Sequence, residues 1–322
     1  MPGTTQPVDA QIGDAGFEHP ALFYRSQQEY LDCLLPFVTD GLDAGQPVLI
    51  AVPGPNLAAL RDGLGPSAAR VVMADMTEVG RNPGRILGEV LSGFVEQHCG
   101  QRVRMIGEPI WPARSAIEYP ACVQHEALIN RAFAGRAMTV ACPYDKARLD
   151  PNVIADARST HPVLWQAGSP EQDSATFAPD DAWARGNQPL STNPTAVKYT
   201  VRKLADLSGA RAFAAAYAQW FGLSAARTAD LQLIANELAT VSVMHAGSAC
   251  RLALWQHDGQ LVCEARDTGH LDDPMAGRRP YWSDTSRGQG LCVVNGIADL
   301  VRIHTTTDAT TIQAFLSLDQ RA

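Results

Sequence analysis

Three short stretches decide how this chain is read: Ala235-Asn236-Glu237-Leu238-Ala239-Thr240, then Ala265-Arg266-Asp267-Thr268-Gly269-His270-Leu271-Asp272-Asp273-Pro274, then Arg287-Gly288-Gln289-Gly290-Leu291. Each alone is weak. Asn-Glu-Leu occurs in many helices, Asp-x-Gly is usually a turn, and Gly-Gln-Gly is usually a loop. Their order and spacing carry the signal. A carboxylate beside a phosphate can act as general base. An Asp can accept a hydrogen bond from an adenine amino group. Two glycines at a helix start let backbone N–H groups approach phosphate oxygens. Together the three describe a nucleotide pocket.

Working outward, Val197 to Val201 alternates as a strand, and Leu204 to Phe221 reads as a helix. Ser224 caps a helix running to about His245. Arg251 to Trp255 and Leu261 to Ala265 read as a hairpin turning at Asp258-Gly259. Residues 270–287 are long enough for a nucleotide lid. Gly290 to Asp299 is helical, and Leu300 to His304 and Thr311 to Leu318 are strands. The expected architecture is an α/β sandwich, with helices on one face of a mixed sheet.

This region resembles the GHKL ATPase domain, in the branch of anti-sigma-factor serine kinases. The resemblance covers roughly residues 195–318 and rests on Glu237 and His245, on Asp267 and Gly269 with Leu271-Asp272-Asp273-Pro274, and on Gly288, Gly290 and Leu291. It implies Glu237 as the catalytic base. It implies ATP held by Asn236, His245, Asp267, Gly269, Gly288, Gly290 and Leu291. The family pattern is Glu-Leu-x-Thr-Asn, its Asn holding Mg²⁺ and the phosphates. Here that position is Val241, and Met244 stands where an Arg is usual. A valine offers no oxygen to a hard cation. The resemblance therefore implies the fold and the pocket, but not magnesium-dependent phosphoryl transfer.

The front half alternates between strands and helices. Pro47 to Val52, Arg70 to Ala74, Val103 to Gly107, Ala137 to Ala141 and Val163 to Trp165 read as strands. Gln27 to Leu42, Asn56 to Leu64, Pro83 to His98 and Ala116 to Ala134 read as helices. Near-continuous apolar strands argue a parallel sheet covered on both faces. Ligands of such sheets bind beyond the strands' carboxyl ends. His19, Tyr24, Glu108, Trp111, Arg114 and Tyr144 are the candidates for a small-molecule pocket. Packing of the aromatics in the core and an ion pair at Arg114 is an equally good account of them. No Gly-x-x-x-x-Gly-Lys-Ser/Thr is present, which excludes a P-loop. Cys122 and His125 lie three apart on one helix, but no second pair accompanies them, so no metal site is expected.

Residues 17–165 resemble the MEDS sensory domain. The likeness rests on His19-Pro20-Ala21-Leu22-Phe23-Tyr24, Gly41-Leu42-Asp43-Ala44-Gly45, Gly107-Glu108-Pro109 with Trp111 and Arg114, His125-Glu126-Ala127-Leu128-Ile129-Asn130, and Cys142-Pro143-Tyr144-Asp145. It implies a RecA-like α/β fold with a ligand-sensing or protein-contact role. Residues 166–194 read as an acidic, extended linker, and its Trp183 is an aromatic placed to dock on a domain.

Composition bounds the function. A chain of 322 residues with 46% hydrophobic content supports two real cores. The net charge of −8 gathers before residue 191, because residues 191–322 balance twelve Lys and Arg against twelve Asp and Glu. That is no nucleic-acid footprint. A polar N-terminal stretch and the lack of a long apolar run give no expected signal peptide or spanning helix, so no membrane. Seven scattered cysteines fit reduced thiols in a cytoplasm. Residues 1–16 read as disordered.

The leading expectation is a regulator of transcription acting by partner switching. Its partners would be a sigma factor and/or an anti-anti-sigma (STAS) protein, and a homodimer is compatible with the sequence. Two alternatives stay open: a non-catalytic partner-binding module with a vestigial pocket, and a sensor histidine kinase. The last lacks a dimerising helix pair with a phospho-acceptor His before the ATPase region.

Overall fold

The structure, a computed structural model, describes residues 16–284 and 286–318. The expectation of disorder at the N-terminus falls on residues 1–15, outside that range. The front unit contains strands β1 (Pro20–Tyr24), β2 (Val48–Val52), β3 (Val72–Asp75), β4 (Val103–Gly107), β5 (Met138–Asp145), β6 (Val163–Gln166) and β7 (Gln172–Asp173). They form one sheet in the order β3-β2-β4-β5-β1-β6-β7. Every pairing is parallel except that of β6 with β7. The central strands are apolar on both faces, and β1, β2 and β5 are buried along their whole length.

Helices cover both faces. They are α1 (Gln27–Asp43), α2 (Gly54–Leu64), α3 (Met76–Val79), α4 (Pro83–Arg85), α5 (Ser92–Gln97), α6 (Tyr119–Ala132) and α7 (Pro151–Thr160). Two separate cores result. One, around Leu22, Tyr30, Leu34 and Leu60, lies under α1 and α2; the other, around Phe23, Met105, Leu128 and Val140, lies under α6. The helix expected over Pro83 to His98 is not continuous. A π-helical segment, Ile86–Leu91, separates α4 from α5.

The linker differs from expectation. It is not extended throughout, because α8 (Pro179–Gly186) forms within it. Pro179-Asp180-Asp181 is its start, with Pro at the first position and acids in the first turn. The helix packs Ala182 and Trp183 on α6.

The rear unit adds β8 (Val197–Val201), α9 (Leu207–Phe221), α10 (Ala225–Val241), β9 (Cys250–His257), β10 (Gln260–Asp267), α11 (Ser286–Ile297), β11 (Leu300–Thr305) and β12 (Thr310–Ser317). The sheet order is β11-β12-β10-β9-β8. The expected mixed sheet is in fact antiparallel at every pairing. One face carries α9, α10 and α11 over a core that includes Ile234, Leu238, Leu252 and Ala314. The other face would be an apolar surface if bare. It is covered by the front unit: Trp255, Val262, Leu300 and Phe315 pack with Ala121 of α6 and with Ile117. Among the described residues, no helix is long and apolar enough to cross a membrane.

Candidate functional site

Some of the residues expected to bind nucleotide lie close together. Asp267 ends β10, and its carboxylate accepts from the Gly269 backbone N–H at 2.7 Å. Val241, Asp267, Gly269, His270, Leu271, Thr310 and Ile312 line one cavity. Gly290 packs on α10 beside it, where a Cβ would lie 3.0 Å from Val241 Cγ2 and 3.3 Å from Glu237 Oε2. Glu237, the expected base, is thus next to the glycine helix and half-buried. Asn236 faces elsewhere, accepting from Arg211 at 2.7 Å and donating to Glu237 at 3.0 Å. Leu291 is a core residue. The side chains of His245 and of residues 285–287 lie outside the described residues.

The cavity has little room. Its volume is about 10 Å³, whereas small-ligand sites run to roughly 300–1,000 Å³. Val241, His270 and Leu271 are part of its lining. The valine brings methyls where an amide would bring oxygen. The segment after Asp267 is folded back on itself and on the front unit. Arg279 pairs with Asp273 at 2.6 Å and with Asp284 at 3.4 Å, and Asp284 also accepts from the Gly277 backbone at 2.9 Å. Gly277 has φ +76° and lies against Leu291, so this turn needs a glycine. The Asp284 carboxylate rests against Gly288, at the helix start expected to receive phosphate.

The front unit holds this segment. Met275 enters the core that contains Ile86, Leu87 and Cys122. Gly88, in the π-helical segment, lies under the carbonyls of Arg278 and Arg279, where a Cβ would meet Arg279 O at 2.8 Å. The Arg278 side chain is buried, with its Nη1 unbonded, and burial pulls it down to about 10. Asn82 donates to the Asn295 carbonyl (2.9 Å) and to its side-chain oxygen (3.1 Å), and accepts from Val301 at 3.3 Å. Asn295 in turn donates to the Gly277 carbonyl at 2.9 Å. Arg302 donates to the Ile117 carbonyl at 2.6 Å. Trp183 joins Leu271, Arg278 and Thr305 around a small cavity between the units. Apart from the docking of Trp183, these contacts carry no local sequence signal, since they pair residues far apart in sequence.

The six candidates of the front half separate into two places. Tyr24, Glu108 and Trp111 line an open cavity of about 630 Å³ beyond the ends of β1, β2 and β4, with Tyr30, Asn56 and Asp145. Glu108 is buried at its base and receives hydrogen bonds from Asn56 (2.9 Å) and Tyr30 (3.4 Å). Burial pushes its carboxyl up to about 8, although those hydrogen bonds lower it. It is therefore largely a neutral acid at pH 7, able to donate. Arg114 does not line this cavity. Its guanidinium lies 3.8 Å from the Trp111 ring centre and donates to the carbonyls of Gly80, Arg81 and Pro109. His19 and Tyr144 lie deeper, against Glu126, with Tyr144 donating to it at 3.0 Å.

Comparison with known proteins agrees with this division. Residues 18–162 match the family described as the MEthanogen/methylotroph, DcmR Sensory domain (MEDS). Residues 200–315 match the histidine kinase-like ATPase domain. The chain carries one domain of each kind. No curated protein matches it. Among solved structures, the crystal structure of the RsbU and RsbW domains of a Mycobacterium tuberculosis protein is similar at 16% identity and a TM-score of 0.30. The match covers 39% of this chain and 34% of that one, so this chain spans about a third of that structure's length.

Proposed function

We propose that this chain is a partner-switching regulator: an ATPase-type domain that resembles anti-sigma-factor serine kinases, governed by a MEDS domain that senses a small molecule. The observation that carries this reading is the seating of the 268–284 segment on the front domain by Met275, Arg278 and Gly88. A lid held by a second, pocket-bearing domain gives both sites one element to bias, which coupling requires.

Asp267 would read adenine, and Gly269, Gly288 and Gly290 would shape the pocket. Nucleotide would enter only when the segment swings off. Its apparent affinity is then reduced by the fraction of open molecules. With Val241 supplying no oxygen, ATP binds weakly and without help from Mg²⁺. Glu237 would orient a hydroxyl, but serine phosphorylation is weak or absent. The output is the binding of a sigma factor or of its STAS-type antagonist, in transcription control in the cytoplasm. The same residues support a second reading, a purely non-catalytic binding module, because Asp284 already lies against Gly288.

Calorimetric titration with ATP, with and without Mg²⁺, tests the proposal. Weak binding unaffected by Mg²⁺ and lost in Asp267→Asn is expected. Equal binding by wild type and Asp267→Asn would remove this pocket from the account. Robust phosphorylation of an antagonist, lost on Glu237→Ala, would show that Val241 does not disable the chemistry.

A further inference from the structure

Beneath the front pocket lies a group of side chains that the sensing role does not use. Among the described residues, His19, Glu126, Cys142 and His161 bring four donor atoms within 4.8 Å of one another. They come from four places in the fold: just before β1, from α6, from β5, and just after α7. All four are at most 1% exposed. The nearest separations are His19 Nε2 to Glu126 Oε2 at 3.3 Å, His19 Nε2 to Cys142 Sγ at 3.4 Å, Cys142 Sγ to Glu126 Oε2 at 3.5 Å, and His161 Nε2 to Glu126 Oε2 at 3.5 Å. Four donors on a tetrahedral zinc, at bond lengths of about 2.0–2.3 Å, stand roughly 3.3–3.8 Å apart.

The surrounding bonds fix the imidazoles. His161 Nδ1 lies 2.8 Å from the Ala157 carbonyl, which can only accept, so Nδ1 carries the proton. His19 Nδ1 lies 3.2 Å from Asn130 Oδ1. The orientation of that amide is set by its NH₂, which donates to the carbonyls of Glu126, Ala127 and Thr160. His19 Nδ1 is therefore also the donor. Both Nε2 atoms then turn lone pairs toward the same carboxylate oxygen. His161 Nε2 makes no hydrogen bond at all. Buried acceptors facing an acceptor are costly unless a cation lies between them. Histidines anchored through the second ring nitrogen are the usual form of metal ligands.

We propose that His19 Nε2, Glu126 Oε2, Cys142 Sγ and His161 Nε2 form a closed zinc site that ties α6 to β1, β5 and the start of β6. Binding forms one bond from each donor to the metal. The Cys142 S–H bond breaks, and its proton leaves to solvent. Thiolate, carboxylate and two neutral imidazoles then balance a divalent ion, so no net charge is buried. Four protein donors leave no open position, so the metal is structural rather than catalytic. Cys122 and His125, the pair noticed in the sequence, are not in the group; their neighbour Glu126 is.

The test uses the full chain, purified without chelator or metal-affinity tag. Elemental analysis should find about one zinc per chain. Because loss of a buried ligand can unfold the domain, the native protein is also stripped by chelator and titrated with Co²⁺. A thiolate-to-cobalt charge-transfer band should appear, should be absent in Cys142→Ser, and should persist in Cys99→Ser, whose thiol is exposed. Folded wild type with no more than trace metal and no such band would overturn the site. Zinc retained in full by a folded Cys142→Ser, His161→Ala double variant would overturn it too.

Discussion

The front cavity and the rear cavity differ in size, in chemistry and in the elements that line them. The front one lies beyond the ends of parallel strands, encloses about 630 Å³ and has a raised carboxylic acid at its base. The rear one is lined by Asp267 and Gly269, two of the residues expected to bind nucleotide, and encloses about 10 Å³. The front cavity is preformed by rigid elements. The rear one is lined by Val241, His270 and Leu271, and the segment that follows Leu271 packs on the other domain. Keeping a site's residues and keeping the site open are separate matters. Here the element beside the rear site is where the two domains meet.

The largest effect should come from prying that element loose. Gly88→Val places a branched side chain where even a Cβ meets the Arg279 carbonyl at 2.8 Å. Overpacking of this kind costs about 1–3 kcal/mol. The melting temperature should fall, while ATP affinity should rise because more molecules are open. A fall in both would break the link between lid position and pocket.

Asp267→Asn should act next, and in the opposite direction. The amide presents a donor where adenine also presents one, a loss of about 1–3 kcal/mol. Combined with Gly88→Val, it should cancel the affinity gain, as read by calorimetry. Val241→Asn should have a smaller effect, restoring an oxygen and making ATP binding several-fold more sensitive to Mg²⁺. Unchanged Mg²⁺ dependence in that variant would mean that the lid, and not the valine, sets the weakness of the rear site.

The last effect is on stability rather than on affinity, and belongs to the front cavity. Glu108 is raised from 4.5 to about 8, so its neutral form is the one the fold favours. Its contribution is complete below pH 4.5 and is lost as pH rises through about 8. The stability of wild type, followed by thermal denaturation, should therefore fall across that window, and that of Glu108→Gln should not. Parallel curves for the two proteins would mean that Glu108 is ionised throughout.

Much of this was legible in local pattern. The 3.6-residue spacing of Tyr30, Leu34 and Val38 marked α1, and an unbroken apolar run marked β2. Asp267, Gly269, Gly288 and Gly290 were singled out because Asp-x-Gly and Gly-x-Gly are short-range signals. What was missed lacks such a signal. In α7 only Ala157, Ser159 and Thr160 are buried, so no apolar stripe announces it. The zinc ligands stand at positions 19, 126, 142 and 161, joined only by the sheet order. The covered face of the rear sheet was invisible too. Alternation shows that Trp255, Val262 and Phe315 need a partner, but not that the partner is α6.

Hydrogen exchange of the backbone over residues 268–284 tests the central claim most directly, comparing the intact wild-type chain with Gly88→Val. The account predicts that this segment is protected in wild type and exchanges much faster in the variant, while β9 and β10 beneath it keep their protection. Fast exchange of the segment in wild type, or equal protection in both proteins, would contradict the claim that the front domain holds the lid.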